Sequence, residues 1–266
     1  MRGELAIFFS AILMSSVSIF VRNTGEDALA VTFLRLFFAT LFLFIFAFLR
    51  KEKFAFSKIL FMLALLNLIT IFSYISAIQQ IEVGISALLL YMAPIYVTII
   101  AYISGEKIER TTMIALPLGF IGLYLMLSPY VEPNLGIIFG VVSGITYSLV
   151  FTLSKKAREF HSAFQISFFN VFLGSSILLP YFLLKSVEFS LFWAVGLGLI
   201  PTAIPFMLFA YGMKHVKLQK APLIALVEPM FAVIVGYIYF GEVLNEKQIL
   251  GGTLILLSTA MSLHKD

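Results

Sequence analysis

The sequence predicts an all-α membrane protein with ten transmembrane helices in two inverted five-helix repeats. Three observations lead to this prediction: an extreme apolar composition, ten apolar runs of membrane-spanning length, and a similarity between the two halves of the chain. Of the 266 residues, 61% are hydrophobic and 12% are charged, against roughly 45–50% and 25% in soluble domains. This composition excludes an ordinary soluble enzyme, a disordered protein and a nucleic-acid-binding protein.

The apolar runs fill the chain and are separated by short connections. A bilayer core about 30 Å thick needs about 20 apolar residues per helix. We expect the first run to be a transmembrane helix and not a signal peptide, because its basic start is thin and no small-residue cleavage site follows it. The connections leave no room for an ATPase domain, and no phosphate-binding glycine loop is present. The predicted helices cover residues 4–21, 29–49, 59–79, 83–103, 112–128, 135–154, 162–184, 189–213, 219–240 and 247–263.

The distribution of basic residues gives an orientation. Fourteen of the 18 Lys and Arg residues fall at the two ends of the chain and in alternate connections. Only Arg22, Lys185 and Lys247 fall on the opposite side, and Arg35 lies within a helix. Because cytoplasmic connections carry an excess of basic residues, this bias predicts cytoplasmic termini in a prokaryote-type plasma membrane. It also explains the positive net charge without a nucleic-acid partner.

A shift of 135 residues aligns the two halves of the chain. Residues 74–103 fall on residues 209–238 without a gap, and Pro94 falls on Pro229. The alignment predicts two repeats, residues 1–128 and 135–266. Five helices per repeat place the second copy upside down in the membrane, which is the plan of many secondary transporters. A duplicated membrane scaffold that carries no solute is the alternative.

The motifs at this offset resemble those of the EamA-type ten-helix proteins of the drug/metabolite transporter superfamily. These motifs are Arg35 within Phe33-Leu34-Arg35-Leu36, Pro94 followed by Gly105-Glu106, Glu228-Pro229 followed by Gly241-Glu242, and Gly251-Gly252. The resemblance covers essentially the whole chain. It implies two five-helix bundles around a central cavity, and export or exchange of small organic molecules such as amino acids or nucleosides.

Two charged residues lie inside predicted helices, where a charge is costly and by default functional. Arg35 is long enough to reach the outer interface, so it is an anchor, one half of an ion pair, or a ligand for the solute. Glu228 is too short to reach the interface from its position in the ninth helix. Three roles stay open for it: carrying a coupling proton, binding an amino group, or pairing with Arg35.

Prolines and polar faces complete the predicted site. Pro94 and Pro229 each remove a helix hydrogen bond, which predicts a pair of hinges or a pair of static kinks. Polar side chains on lipid-facing surfaces are costly, so the polar helix faces turn inward, either to line the cavity or to bond between helices. The predicted substrate-binding residues are Arg35, Asn67, Tyr74, Tyr91, Thr98, Tyr147, Thr202 and Glu228.

No pattern typical of an enzyme, a metal site or a cofactor site is present. The three His residues lie near the predicted cytoplasmic face and form no zinc motif, and Cys is absent. The sequence therefore predicts a secondary transporter that exports small organic metabolites, such as amino acids, by alternating access. Its expected partners are a small organic solute, the lipid bilayer and a coupling proton. An uptake permease or facilitator of the same fold, and a non-transporting scaffold, are the alternatives.

Overall fold

The computed structural model describes residues 2–24, 27–78, 80–81, 83–127, 135–185, 187–241 and 245–263. Within these ranges the chain is helical and contains no β-strand. The predicted linker at 128–134 and the last three residues lie outside them. The helices are α1 (Arg2–Ser15), α2 (Val17–Thr24), α3 (Ala28–Arg50), α4 (Lys58–Ile78), α5 (Val83–Leu90), α6 (Ala93–Ile103), α7 (Arg110–Leu127), α8 (Leu135–Ala157), α9 (Ala163–Leu184), α10 (Leu191–Gly198), α11 (Ile204–His215), α12 (Ala221–Ala225), α13 (Val227–Phe240) and α14 (Glu246–Leu263), with a π-helical segment, Leu199–Ala203, between α10 and α11.

Eight stretches of the described chain are long and apolar enough to cross a membrane. A ninth, Lys58–Tyr74, is apolar but shorter, and α14 is not among the eight. The chain is therefore a multi-pass membrane protein, while the count of ten membrane crossings stays a prediction. The eight stretches are Arg2–Val21, Leu29–Arg50, Ser86–Ile103, Arg110–Leu127, Leu135–Ala157, Ala163–Leu184, Leu191–His215 and Ala221–Tyr239.

Four of the ten predicted segments are not the single regular helices that their apolar runs suggest. The runs at 4–21, 83–103 and 219–240 each contain two helices in series, and the run at 189–213 is interrupted by the π-helical segment. In the first run, the hydroxyls of Ser15 and Ser16 donate to the carbonyls of Ile12 and Leu13. Such local bonds compete with the helix ladder, which explains why α1 ends there.

Polar side chains fix the starts of two long helices. Asp27 accepts hydrogen bonds from the backbone N–H groups of Leu29 and Ala30, at 2.9 and 3.0 Å, and so caps α3. Ser162 and Gln165 form a reciprocal capping box at the start of α9. These bonds satisfy helix N–H groups that have no partner within the helix.

Glycines allow the closest helix contacts. A Cβ atom on Gly144 of α8 would lie 2.3 Å from the carbonyl oxygen of Leu89, and one on Gly140 would lie 2.4 Å from the Leu89 side chain. In a second close contact α7 packs along α14, with Gly122 and Gly251 facing each other's backbone. Gly140 and Gly144 thus form part of a packing surface on α8, as small residues in membrane helices commonly do.

An ionic cluster joins the connection after α6 to the connection after α11. The Glu109 carboxylate contacts the ammonium groups of Lys217 and Lys220, the latter at 2.8 Å. The amide of Gln219 reinforces the junction by accepting from the Glu109 N–H at 3.0 Å and donating to the Lys107 carbonyl at 2.9 Å. Partial burial acts to raise the pKa of Glu109, but the bonds and charges of the two lysines outweigh it and lower that pKa below its ordinary value.

We expect Glu109→Gln to reduce stability at neutral pH and to have little effect in acid. Because the folded-state pKa of Glu109 is lowered, the ion pairs stabilise the protein above the unfolded-state pKa and lose their effect as pH falls through the folded-state pKa. Lys220 is nearly buried and Lys217 is exposed, so most of the loss, about 1–2 kcal/mol, should come from the Lys220 pair. Denaturant unfolding in detergent at pH 7 and pH 3 measures it, with exposed Glu246→Gln as the control. Equal destabilisation at both pH values would contradict the assignment.

Candidate functional site

A cavity of about 380 Å³ lies between helices from both halves of the chain. Its wall includes residues of α1, α3, α4, α5, α8, α9, α11 and α13. Most of the wall is apolar, and a few polar and charged groups project into it, as in most small-molecule sites. Six of the predicted substrate-binding residues line this cavity: Arg35, Asn67, Tyr74, Tyr91, Tyr147 and Glu228.

Glu228 enters the cavity from a break in the helix. It lies in the first turn of α13, directly after the one-residue interruption at Leu226. Tyr91 lies at the corresponding interruption between α5 and α6. Both side chains line the cavity, so the two interrupted segments, one from each half of the chain, border the same space.

The two predicted hinge prolines follow these interruptions. Pro94 is the second residue of α6, and Pro229 is the third residue of α13. N–H groups in the first turn of a helix have no partner within it, so proline costs little there. Each proline thus stands just after a break in the helix ladder, and the role of the two breaks, as hinges or as static kinks, stays a prediction. Pro229 lines the cavity and Pro94 is buried outside its wall.

Arg35 is held from the opposite half of the chain. Its Nε donates to the Thr202 hydroxyl at 2.9 Å, and its Nη2 donates to the Pro201 carbonyl at 3.2 Å. The guanidinium also lies 5.9 Å from the centre of the Phe206 ring. Among the ion pairs of the described residues none joins Arg35 to Glu228 within 4.0 Å, so the two charges share the cavity without direct contact.

Two predicted residues do not line the cavity. Thr98 donates to the Pro94 carbonyl, four residues back on α6, at 2.8 Å. Thr202 is fully buried, donates to the Leu197 carbonyl at 2.7 Å and accepts from Arg35. Thr98 thus bonds its own helix, and Thr202 contacts the charged residue instead of the open space.

The cavity also has polar wall residues that the sequence prediction missed. Ser167 and Asn170 lie one turn apart on α9, and both line the cavity. Their oxygen atoms Oγ and Oδ1 are buried without a hydrogen-bond partner, which is unusual because buried polar atoms are nearly always bonded. The sequence contains an indication for Asn170 alone: it lies 135 residues after Arg35, which is the offset that aligns the two halves of the chain.

Thr70 of α4 lines the cavity and also bonds between helices. Its hydroxyl donates to Thr146 of α8 at 2.8 Å. Within the described chain, no three acidic or histidine side chains are close enough together to hold a metal ion. The described cavity wall thus offers hydrogen-bonding groups together with one basic and one acidic side chain.

Comparisons with known proteins match most of the chain to transporters. The EamA-like transporter family matches residues 1–128 and again residues 134–263. A protein of Archaeoglobus fulgidus named as an uncharacterized transporter is 55% identical over 96% of this chain and 93% of its own length. The uncharacterized transporter YoaV of Bacillus subtilis is 23% identical over 86% of this chain and 85% of its own length.

A solved structure supports the same fold. One crystal structure superposes with a TM-score of 0.87 at 16% identity, covering 98% of this chain and 97% of the other. An identity this low supports the fold alone. The family matches and the close relative establish more: the chain belongs to the EamA-like transporter family of the drug/metabolite transporter superfamily, and is a multi-pass membrane transporter.

Proposed function

We propose that this protein is a secondary transporter that exports small organic metabolites, amino acids or similar solutes, by alternating access. The observation that carries the proposal is the central cavity, which contains one basic and one acidic side chain that do not pair directly. Keeping two unpaired charges inside an apolar bundle is costly. A solute that carries both charges would compensate them.

The size and wall of the cavity fit such a solute. At about 380 Å³ it lies at the small end of the usual range for ligand sites, roughly 300–1,000 Å³. Tyr74, Tyr91 and Tyr147 supply hydroxyls and aromatic faces to the same wall. A molecule of amino-acid size therefore has room, while a large lipid or a polymer does not.

The mechanism needs two moving halves, and we propose residues 1–128 and 135–266 as inverted repeats of five transmembrane helices each. Two features support this division: the family matches each half separately, and each half carries one interrupted segment followed by a proline. We propose these interruptions, at Pro94 and Pro229, as the hinges. A break in the hydrogen-bonded ladder lets one half-helix tilt relative to the other.

The charge bias of the connections supports cytoplasmic termini in a prokaryote-type plasma membrane. In this orientation the Glu109 cluster lies at the cytoplasmic side. Solute would enter the cavity from the cytoplasm and leave outward, and Glu228 is the proposed carrier of a coupling proton or ligand of an amino group.

Transport by purified protein in liposomes tests the proposal. We expect counterflow of one or more radiolabelled amino acids above protein-free vesicles, and accumulation in everted vesicles when a proton gradient is imposed. Counterflow without a response to pH would indicate a facilitator, and accumulation in right-side-out vesicles an uptake permease. No flux of any solute, with a partner protein retained on purification, would favour the scaffold and overturn the proposal.

A further inference from the structure

The bonds of Arg35 leave one edge of its guanidinium for a ligand. A guanidinium has five N–H groups arranged along two edges, and each edge can hold a carboxylate through two parallel bonds. The Nε–Nη2 edge of Arg35 is occupied by the Thr202 hydroxyl and the Pro201 carbonyl. The other edge, formed by Nη1 and the second N–H of Nη2, has no protein acceptor among the contacts of the described residues. Arg35 itself lines the cavity.

The partners of the occupied edge belong to the π-helical segment and its backbone. In a regular α-helix the Pro201 carbonyl would accept the N–H of residue 205, but that residue is Pro205 and has no N–H. The Thr202 hydroxyl uses its single hydrogen on the Leu197 carbonyl, at 2.7 Å, so that its oxygen can only accept from Arg35. Both acceptors are therefore fixed in position and in polarity before any solute binds.

We propose that Arg35 binds the carboxylate of the transported solute through its free edge, with the Thr202 hydroxyl and the Pro201 carbonyl as the groups that position it. This inference rests on the proposed transport function and adds the chemistry of the substrate. A guanidinium held by two bonds loses little side-chain freedom when it binds, which favours a planar, bidentate anion.

The second charge in the cavity narrows the choice of anion. Glu228 lines the same space, and a carboxylate there opposes a dianion such as a phosphate monoester. It attracts a cationic group of the same solute. The site thus selects a carboxylate monoanion that also carries an amino group, and discriminates against the same molecule after its carboxylate has been converted to a carboxamide.

Wild-type protein provides the first test and needs no variant. Counterflow and thermal stabilisation are measured for the standard amino acids, each beside its carboxamide and its decarboxylated amine. We expect the amino acid to bind at least about tenfold more tightly than its carboxamide or its amine, because neither of these can form the bidentate charged pair with Arg35. Equal affinity for the acid and the carboxamide overturns the inference while leaving a transporter; phosphate monoesters as the better ligands overturn the choice of anion. Absence of any flux or stabilisation overturns the transport function itself.

Variants at the positioning residues provide the second test. Thr202→Val keeps the shape of the side chain but removes the acceptor, and should raise KM for carboxylate solutes about tenfold with kcat nearly unchanged. KM for the carboxamides should not change, and Thr202→Ser should restore the wild-type value. Thr253→Val is the matched control, because Thr253 is exposed on α14 and bonds its own helix. A purely structural role of Thr202 would instead impair all solutes equally.

Discussion

Gly251→Ala is expected to destabilise the protein strongly, by at least about 2 kcal/mol, because extra volume in a packed interior forces backbone shifts. The added Cβ would lie 2.4 Å from the Gly122 carbonyl oxygen and 2.6 Å from the Met126 backbone nitrogen. Both neighbours belong to the backbone of α7, which cannot yield as a flexible side chain would. Gly122 meets α14 in the same way, since its own Cβ would lie 2.7 Å from the Gly251 carbonyl oxygen.

The adjacent glycine provides a matched control for this change. A Cβ on Gly252 would meet nothing closer than Met230, at 3.4 Å, which is an ordinary contact. Gly252→Ala should therefore leave stability unchanged or slightly higher, since alanine is the better helix former. Thermal unfolding of both variants in the same detergent compares them. Similar unfolding temperatures for the two would show that α7 and α14 can separate freely.

Glu228→Gln is expected to lower transport by about tenfold or more, because it removes the only acidic side chain of the described cavity wall. The substitution keeps the size of the group and its ability to accept hydrogen bonds. It removes the charge and the capacity to carry a proton. Flux in proteoliposomes is the measurement, and Glu246→Gln, on an exposed position of α14, is the matched control.

Three outcomes distinguish the roles of Glu228. If it carries the coupling proton, accumulation driven by a pH gradient is lost while exchange survives. If it binds an amino group, solute affinity falls in both assays. If it serves mainly to balance Arg35, stability falls and is partly recovered when the Arg35 charge is removed as well. Unchanged flux, pH dependence and stability would remove Glu228 from the site.

Much of the helical architecture could be predicted from apolar run length, but the interruptions could not. Pro94 and Pro229 marked their positions, yet a proline is compatible both with a kink and with a new helix. The fold also separates two residues that the sequence placed on one face: Tyr91, at the break, lines the cavity, whereas Thr98, on α6, bonds its own helix.

The charged residues of the cavity could be located from sequence, while their contacts required the fold. Arg35 and Glu228 stand out in the sequence because a charged side chain inside a membrane-spanning run is energetically costly and is usually functional. Arg35 bonds Thr202 and not Glu228 because α3 packs against the π-helical segment. The hydrophobic periodicity of the sequence does not predict which helices pack together. Ser167 was missed because α9 contains several scattered serines, Ser167, Ser175 and Ser176, and the sequence does not indicate which of them faces a cavity.

The π-helical segment Leu199–Ala203 also makes this stretch sensitive to chain length. A π-helical hydrogen bond spans one residue more than an α-helical one, and each residue of an α-helix turns the helix by about 100°. Deleting one residue here would let a regular α-helix run from α10 into α11 and rotate the two relative to each other by about that angle. Phe206, Phe209 and Ala210, which now face the cavity, would turn toward neighbouring helices or lipid. A one-residue deletion in this segment should therefore be tolerated less well than most substitutions within it.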